Sequence, residues 1–336
     1  MPMSVDTRSL YPVRDDRSLR RALSVCVAGI LLLGLATVAA AQGANPLRVD
    51  APPVVVTAEK EPADAQTVPA SITAVPADTL SSWAISSISD ATPFAPNTFF
   101  SEFQARKLSF ARFRGISSGP GNPAITTYVD GVPLLHTNIA NIELIDVAQI
   151  ELVRGGQSAL FGRNALGGVV NVSSVRPSFT KWTGSATVPL GNYSSWGARG
   201  AISGPISSHA AISLAAGRAE RDGFTKDVVS GTPIDSRGST FGKAQFLWLP
   251  TPSWETRVIV SGERARDGDY ALADLGSLRA TPYRTSRDFL GHTDRDVVTA
   301  SVSARHEGHR FSFTTTTGVA NWQTKDETDL DYSPLP

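Results

Sequence analysis

Lys181-Trp182-Thr183-Gly184-Ser185-Ala186-Thr187-Val188-Pro189-Leu190 alternates strictly, with Trp182, Gly184, Ala186, Val188 and Leu190 on one face and Lys181, Thr183, Ser185 and Thr187 on the other. A period of two is that of a β-strand with one apolar side. The pattern recurs downstream: Ile212, Leu214 and Ala216 against Ser213 and Ala215; Ala244, Phe246 and Trp248 against Lys243 and Gln245; Val298, Ala300, Val302 and Ala304 against Thr299, Ser301 and Ser303. We count about seven such strands of roughly ten residues, the length a tilted strand needs to cross a bilayer. A water-soluble sandwich also alternates. Two features favour the membrane reading: the face opposite the apolar one is small and polar, and Trp182, Trp196, Trp248, Trp254 and Trp322 fall near strand ends, where an interfacial aromatic girdle sits. Short turns near 204–208, 250–253 and 306–309 also alternate with long charged ones near 221–239 and 267–294, apart from a brief loop at 191–194. Tight turns on one side and longer loops on the other are usual in outer-membrane barrels. Residues 178–336 therefore read as antiparallel transmembrane barrel strands.

Upstream, residues 63–177 read as a small α+β domain. Pro76-Ala77-Asp78 opens a weak helical stretch through Ser89, and Thr98 to Phe103 and Leu108 to Arg114 read as strands. Ile125 to Val129 runs into Asp130-Gly131, a two-residue turn that tolerates positive φ, and Val132 to Leu135 returns as the second strand of a hairpin. Asn141 to Asp146 is expected to form a helical turn before the strand Gln149 to Val153, and a Gly-rich run from Gly155 to Gly168 leads to the strand Val169 to Val172.

Several patterns suggest chemistry and fail on context. Gly115-Ile116-Ser117-Ser118-Gly119 fits the G-x-S-x-G nucleophile elbow, which would make Ser117 the nucleophile of an exported hydrolase. That motif needs a following helix, and Gly119-Pro120-Gly121-Asn122-Pro123 opposes one, because proline lacks a donor and glycine is a poor helix former. The run 155–168 has neither Lys-Ser/Thr after Gly162 nor a G-x-G-x-x-G, so its glycines serve turns and not a phosphate. His306 and His309 flank Glu307-Gly308 without the H-E-x-x-H spacing, and His136, His209 and His292 lack ligand spacing. No catalytic residue, metal site or cofactor is expected.

Composition agrees with a folded, exported protein. The chain has 336 residues, 41% hydrophobic and 18% charged, too apolar for a disordered chain and with a single cysteine, too few for an internal disulfide. Lys+Arg and Asp+Glu both total 31, so no net charge draws the chain to nucleic acid. Arg20-Arg21 precede the uncharged apolar run Ala22 to Val38, which ends in Ala39-Ala40-Ala41. Residues 1–41 are expected to be a signal peptide, with cleavage before Gln42 and Cys26 leaving with it. The run is short for a spanning helix. A Pro- and Ala-rich leader over 42–62 follows, and within it Val54-Val55-Val56-Thr57-Ala58 stands between Pro52-Pro53 and Glu59-Lys60-Glu61-Pro62. Breakers on both sides keep this strand out of a central sheet. An extended, unpaired segment on a flexible tether is what a partner's sheet edge captures through main-chain hydrogen bonds.

These stretches together resemble the TonB-dependent outer-membrane receptors. The resemblance rests on Val54-Val55-Val56-Thr57-Ala58 as a TonB box, on Phe113-Arg114-Gly115-Ile116, on Tyr128-Val129-Asp130-Gly131-Val132-Pro133, and on the continuous run from Ile150-Glu151-Leu152-Val153-Arg154-Gly155-Gly156-Gln157 to Val172. It covers most of residues 52–177, and the family usually has proline where Gly156 stands. The resemblance implies a plug domain over 63–177 inside a Gram-negative outer-membrane barrel, and TonB, with its inner-membrane energy-transducing complex, as the partner of Val54, Val55, Val56, Thr57 and Ala58. It also implies uptake of a scarce nutrient, most often a ferric siderophore or a similar metal chelate, with outer-membrane lipid around the barrel and no nucleic acid. A signalling or adhesion receptor on the same scaffold is the alternative. Seven strands do not wrap a domain of this size, so the chain is expected to be the N-terminal part of a longer product. Tracing direction from strand 181–190 places Glu102 to Lys107, Ser117 to Asn122 and His136 to Asn138 at the outer apex. Phe103, Gln104, Asn122, His136 and Asn138 are the candidate ligand contacts there, on loops carried by a rigid scaffold.

Overall fold

The computed structural model describes residues 54–57, 59–102, 106, 109–119 and 121–335. The expected signal peptide, Ala58, Phe103 and Gln104 lie outside the described residues. In chain order the first ten strands are β1 (Val55–Val56), β2 (Ala63–Asp64), β3 (Ser71–Pro76), β4 (Thr98–Glu102), β5 (Ser109–Phe113), β6 (Ile116–Ser117), β7 (Ile125–Val129), β8 (Val132–Leu134), β9 (Val147–Arg154) and β10 (Gly168–Ser174). Strands β3, β9, β10, β7 and β8 form one five-stranded sheet in that order, β4, β5 and β6 form a second, and β1 pairs with β2 alone. Strand β7 runs parallel to β10 and is buried along its whole length, whereas β9 lies antiparallel between β3 and β10. Ile125, Leu134, Ile139, Ile150, Leu152 and Phe113, each at most 1% exposed, fill the core between this sheet, the β4–β6 sheet and the short helices.

The expected hairpin forms at Asp130-Gly131, where φ is +50° and +83°, the pairing of two positive values a tight turn of this kind needs. Gly168 opens β10 at φ +152°, and a Cβ there would run into the Val153 carbonyl oxygen and the Phe113 ring. Only glycine fits. Two expectations are corrected. The helical stretch from Pro76 to Ser89 is two helices, Ala77–Ser82 and Ile88–Ala91, because Ala84 turns to φ +50° and Ser87 with Asp90 forms a fresh capping box. Asn141 to Asp146 is not helical. Its groups are taken elsewhere: Leu144 N donates to Ser86 O, Glu143 N donates to Glu263 Oε2, and Asn141 bonds Ser89. The helical turn lies one step earlier, at Thr137–Ile139, with the His136 ring accepting from Asn138 N as its cap.

Then follow β11 (Thr183–Thr187), β12 (Trp196–Ser207), β13 (Ala210–Arg221), β14 (Lys226–Asp227), β15 (Arg237–Thr251), β16 (Trp254–Gly268), β17 (Arg284–Thr285), β18 (His292–Glu307) and β19 (Ser312–Glu327). Strands β11, β12, β13, β15, β16, β18 and β19 form one antiparallel seven-stranded sheet in sequence order. Most are longer than expected, reaching 16 residues in β18 and β19. The exception is the stretch that decided the fold, since only Thr183–Thr187 of Lys181–Leu190 is strand and both its faces are exposed. Pro189 has no N–H to give, and its carbonyl instead accepts from Gly197 N.

The alternation holds in the longer strands. Ser213, Ser239, Lys243, Gln245, Thr299 and Ser301 are buried, while Leu214, Phe246, Trp248, Val298 and Val302 of the opposite face are exposed. Trp322 departs from the expected girdle: it sits on the face that meets the N-terminal domain, its ring tilted against His136 at 4.5 Å and packed against the N-terminal core. Its register partner Val297 is likewise buried there. Sequence position near a strand end did not reveal which face it takes. Connections are short at 208–209, 252–253 and 308–311 and long at 188–195, 222–236 and 269–291. The last two long loops pair with each other through β14 and β17, and Arg287 N donates across that contact to the buried Asp227 at 2.9 Å, while the Arg287 guanidinium pairs with Asp269 within its own loop.

Candidate functional site

The polar face of the seven-stranded sheet receives the N-terminal domain through charged side chains at two levels. At the long-loop rim, Arg106 bridges Asp267 on β16 at 3.0 Å and Glu143 at 2.8 Å, and Arg237 on β15 holds Glu102 at 2.7 Å. Arg199 on β12 reaches the second Glu143 oxygen at 3.0 Å, and Arg295 on β18 pairs with Glu263 and donates to Asn138 O. Burial pushes the Glu143 carboxyl above the usual range, and Arg106 and Arg199 pull against that rise. Arg106 itself is held above its ordinary value although burial opposes its charge, because Asp267 and Glu143 face it.

Nearer the short-turn rim, Lys243 Nζ donates to Ile145 O and to Ser174 Oγ, while Gln245 and Ser213 both bind Asp146 Oδ2. Arg257 donates to the carbonyls of Ser174 and Val175, and Arg176 pairs with Glu255. These contacts fix the start of β9 and the end of β10 to the sheet wall.

The segment Val54–Thr57 lies at this lower level and is not the free strand that its flanking breakers suggested. Val55 pairs with Asp64 and Val56 with Ala63, and Val56 is fully buried. Gln149 Nε2 donates to Val55 O at 3.0 Å, and Glu151 accepts from Thr57 N at 2.8 Å. Lys60 stands over the rings of Phe161 and Tyr128 at 5.0 and 5.7 Å, so the turn after the segment is pinned as well. A cleft of about 550 Å³ opens beside it, lined by Thr57, Lys60, Asp130, Arg257 and Arg305 among others.

Of the candidate ligand contacts, His136 and Asn138 share the capped turn at the long-loop level, and Asn122 is exposed on the neighbouring loop, where Gly121 N donates to Thr137 Oγ1. His136 is committed to Trp322 and to its capping bond. Glu102, Arg106 and Asn138 are reached by the wall through Arg237, Asp267 and Arg295, residues near the long-loop ends of their strands. A second cleft, of about 210 Å³, lies beside them between Ser86, Glu102, Arg106, Glu143, Arg221 and Arg237. Sequence reading missed these arginines, since their inward placement follows from a register that one sequence does not specify.

Ser117 lies on β6, the described residues 118, 119 and 121–124 that follow it are not helical, and its hydroxyl donates to Ser118 O. Among the described residues no three His, Cys, Asp or Glu side chains are gathered to hold a metal, and no helix is long and apolar enough to cross a membrane.

The family model described as TonB-dependent receptor plug domain matches residues 64–169. Those residues are a TonB-dependent receptor plug domain. The pesticin receptor of Yersinia pestis is 40% identical over 101 residues, which are 30% of this chain and 15% of that protein. The ferrioxamine B receptor of Salmonella typhimurium is 25% identical over 207 residues, 59% of this chain and 27% of that one. Thus the chain spans well under a third of the length of these curated relatives. Among solved structures, the ferric yersiniabactin uptake receptor of Yersinia pestis aligns with a TM-score of 0.71 at 23% identity, over 76% of this chain and 41% of that one. The ferric-catecholate import receptor of E. coli K12 aligns at 0.62 and 13% identity, over 82% and 42%. At these identities the likeness is one of fold: a plug followed by antiparallel barrel strands.

Proposed function

We propose that this protein is an outer-membrane receptor that takes up a ferric siderophore or similar metal chelate, energised through TonB acting on Val54–Ala58. The supporting observation is the pairing of a plug anchored to the wall with a short segment docked at its lower face. The wall grips Glu102, Arg106, Glu143, Asp146 and Ser174, whereas the coupling segment is held by a two-residue strand pair, a few side-chain bonds and Lys60. Pulling on the segment therefore loads the plug and leaves the wall in place. The relatives' names, receptors for ferrioxamine B and for ferric yersiniabactin, support a ferric chelate as cargo.

The ligand is placed at the long-loop apex, on Phe103, Gln104, Asn122, His136 and Asn138. The test uses cells carrying the full-length gene product and a panel of radiolabelled ferric chelates, with surface binding and uptake read separately. One chelate should bind with or without the proton gradient and enter only with it. Replacing Gln104, His136 and Asn138 together by Ala should weaken its surface binding by roughly ten-fold or more, the loss of one or two hydrogen bonds. Uptake that survives collapse of the gradient counts against the proposal, and unchanged affinity of the triple variant moves the site into the barrel loops.

A further inference from the structure

Glu151 sits in the middle of β9 at 1% exposure, and among the described residues no lysine or arginine lies within ion-pair distance of it. A buried carboxylate without a cation is stable only where hydrogen bonds replace its water. Four donors do so here. Thr57 N and Thr57 Oγ1 approach one oxygen at 2.8 and 3.0 Å, Gln149 Nε2 reaches the same oxygen at 3.0 Å, and Asn171 Nδ2 reaches the other at 3.4 Å. Two of the four belong to Thr57, a residue of the coupling segment and not of the sheet.

The register explains the grouping. Asn171 on β10 lies directly opposite Glu151, and Gln149 lies two residues away on the same strand and so on the same face. Their remaining bonds also go to the segment: Asn171 Nδ2 donates to Thr57 Oγ1 at 2.9 Å, and Gln149 Nε2 donates to Val55 O at 3.0 Å. Three polar side chains of this sheet thus accept or supply the side-chain hydrogen bonds of the segment Val54–Thr57.

We propose that Gln149, Glu151 and Asn171 form a latch for the coupling segment, with Thr57 as the group it recognises. This rests on the reading of Val54–Ala58 as the TonB-binding segment. Undocking strips Glu151 of two of its four donors and brings it to water, so release of the segment and solvation of Glu151 are one event. Removing either partner shifts the segment toward the released state. Loss of the Thr57 hydroxyl and loss of the Glu151 carboxylate both delete the Thr57 Oγ1–Glu151 bond, so the two removals are less than additive.

The test is the rate of maleimide labelling of Val56→Cys, a side chain buried while the segment is docked, in outer membranes containing the full-length gene product. Glu151→Ala and Thr57→Val should each speed labelling by about ten-fold, the weight of one charge-assisted hydrogen bond, and the double variant should fall short of the product of the two single effects. Val153→Cys, buried in the same sheet, should stay unlabelled in Glu151→Ala. Unchanged Val56→Cys labelling, additive effects, or labelling of Val153→Cys would each overturn the latch. Binding of the purified TonB periplasmic domain to Val55→Pro membranes is measured alongside. Undiminished binding there refutes the coupling-segment reading alone, because the labelling result does not depend on what the released segment meets.

Discussion

At the scale of single residues, His136 shows how one side chain ties the plug to the wall. Its ring accepts the Asn138 N–H and lies against Trp322, and burial lowers its pKa from 6.5. Protonation would put a charge against the indole's neighbours and turn the accepting nitrogen into a donor. The sign follows from linkage: the unfolded chain titrates near 6.5 and the folded one lower, so below 6.5 the unfolded state binds more protons. Stability contributed by this contact is complete above that pH and declines as the pH falls through the window below it. In denaturant titrations the wild type should lose stability on acidification from pH 6.5 relative to His136→Asn, with a matching change in Trp322 emission. Parallel pH profiles for the two proteins would contradict this.

At the scale of elements, Arg106 joins the loop between β4 and β5 to β16 and to the segment before β9. Removing it leaves Asp267 buried without its cation and Glu143 with Arg199 alone, a change that costs about 3–5 kcal/mol where nothing replaces the charge. Arg106→Ala should lower the unfolding free energy by that order in detergent, and a loss below about 1 kcal/mol would show that water reaches the pair. Such links were not legible in the sequence, whereas the elements they join largely were. Period-two runs placed β13, β15 and β18 and gave the count of seven strands, and Asp130-Gly131 gave the β7–β8 hairpin, because each signal is local. Asn141 to Asp146 was misread because its backbone partners, Ser86 and Glu263, are distant in sequence. Trp322 was misplaced because the choice between lipid and lumen faces depends on what the lumen holds. Likewise the β1–β2 pair was missed, since two residues form it and its bonds to Gln149 and Glu151 come from 94 positions away.

At the scale of the whole molecule, two kinds of attachment coexist. The plug meets the wall through a charged network at the long-loop rim and through Lys243, Gln245 and Arg257 lower down. The coupling segment meets the plug through one buried valine, a short strand pair and one buried carboxylate. Under the proposed function, a force applied from the periplasm would act first on the weaker attachment, and a ligand bound at the opposite rim would be untouched until the plug itself yields. Val55→Pro separates these levels, because proline removes a main-chain donor and fixes φ in a segment that a partner would capture by its backbone. In cells carrying the full-length gene product, this variant should bind the ferric chelate at the surface within about two-fold of wild type while uptake is abolished, whereas Val55→Ala should lose far less. Normal uptake by Val55→Pro would contradict the central claim that this segment couples the plug to an energy source.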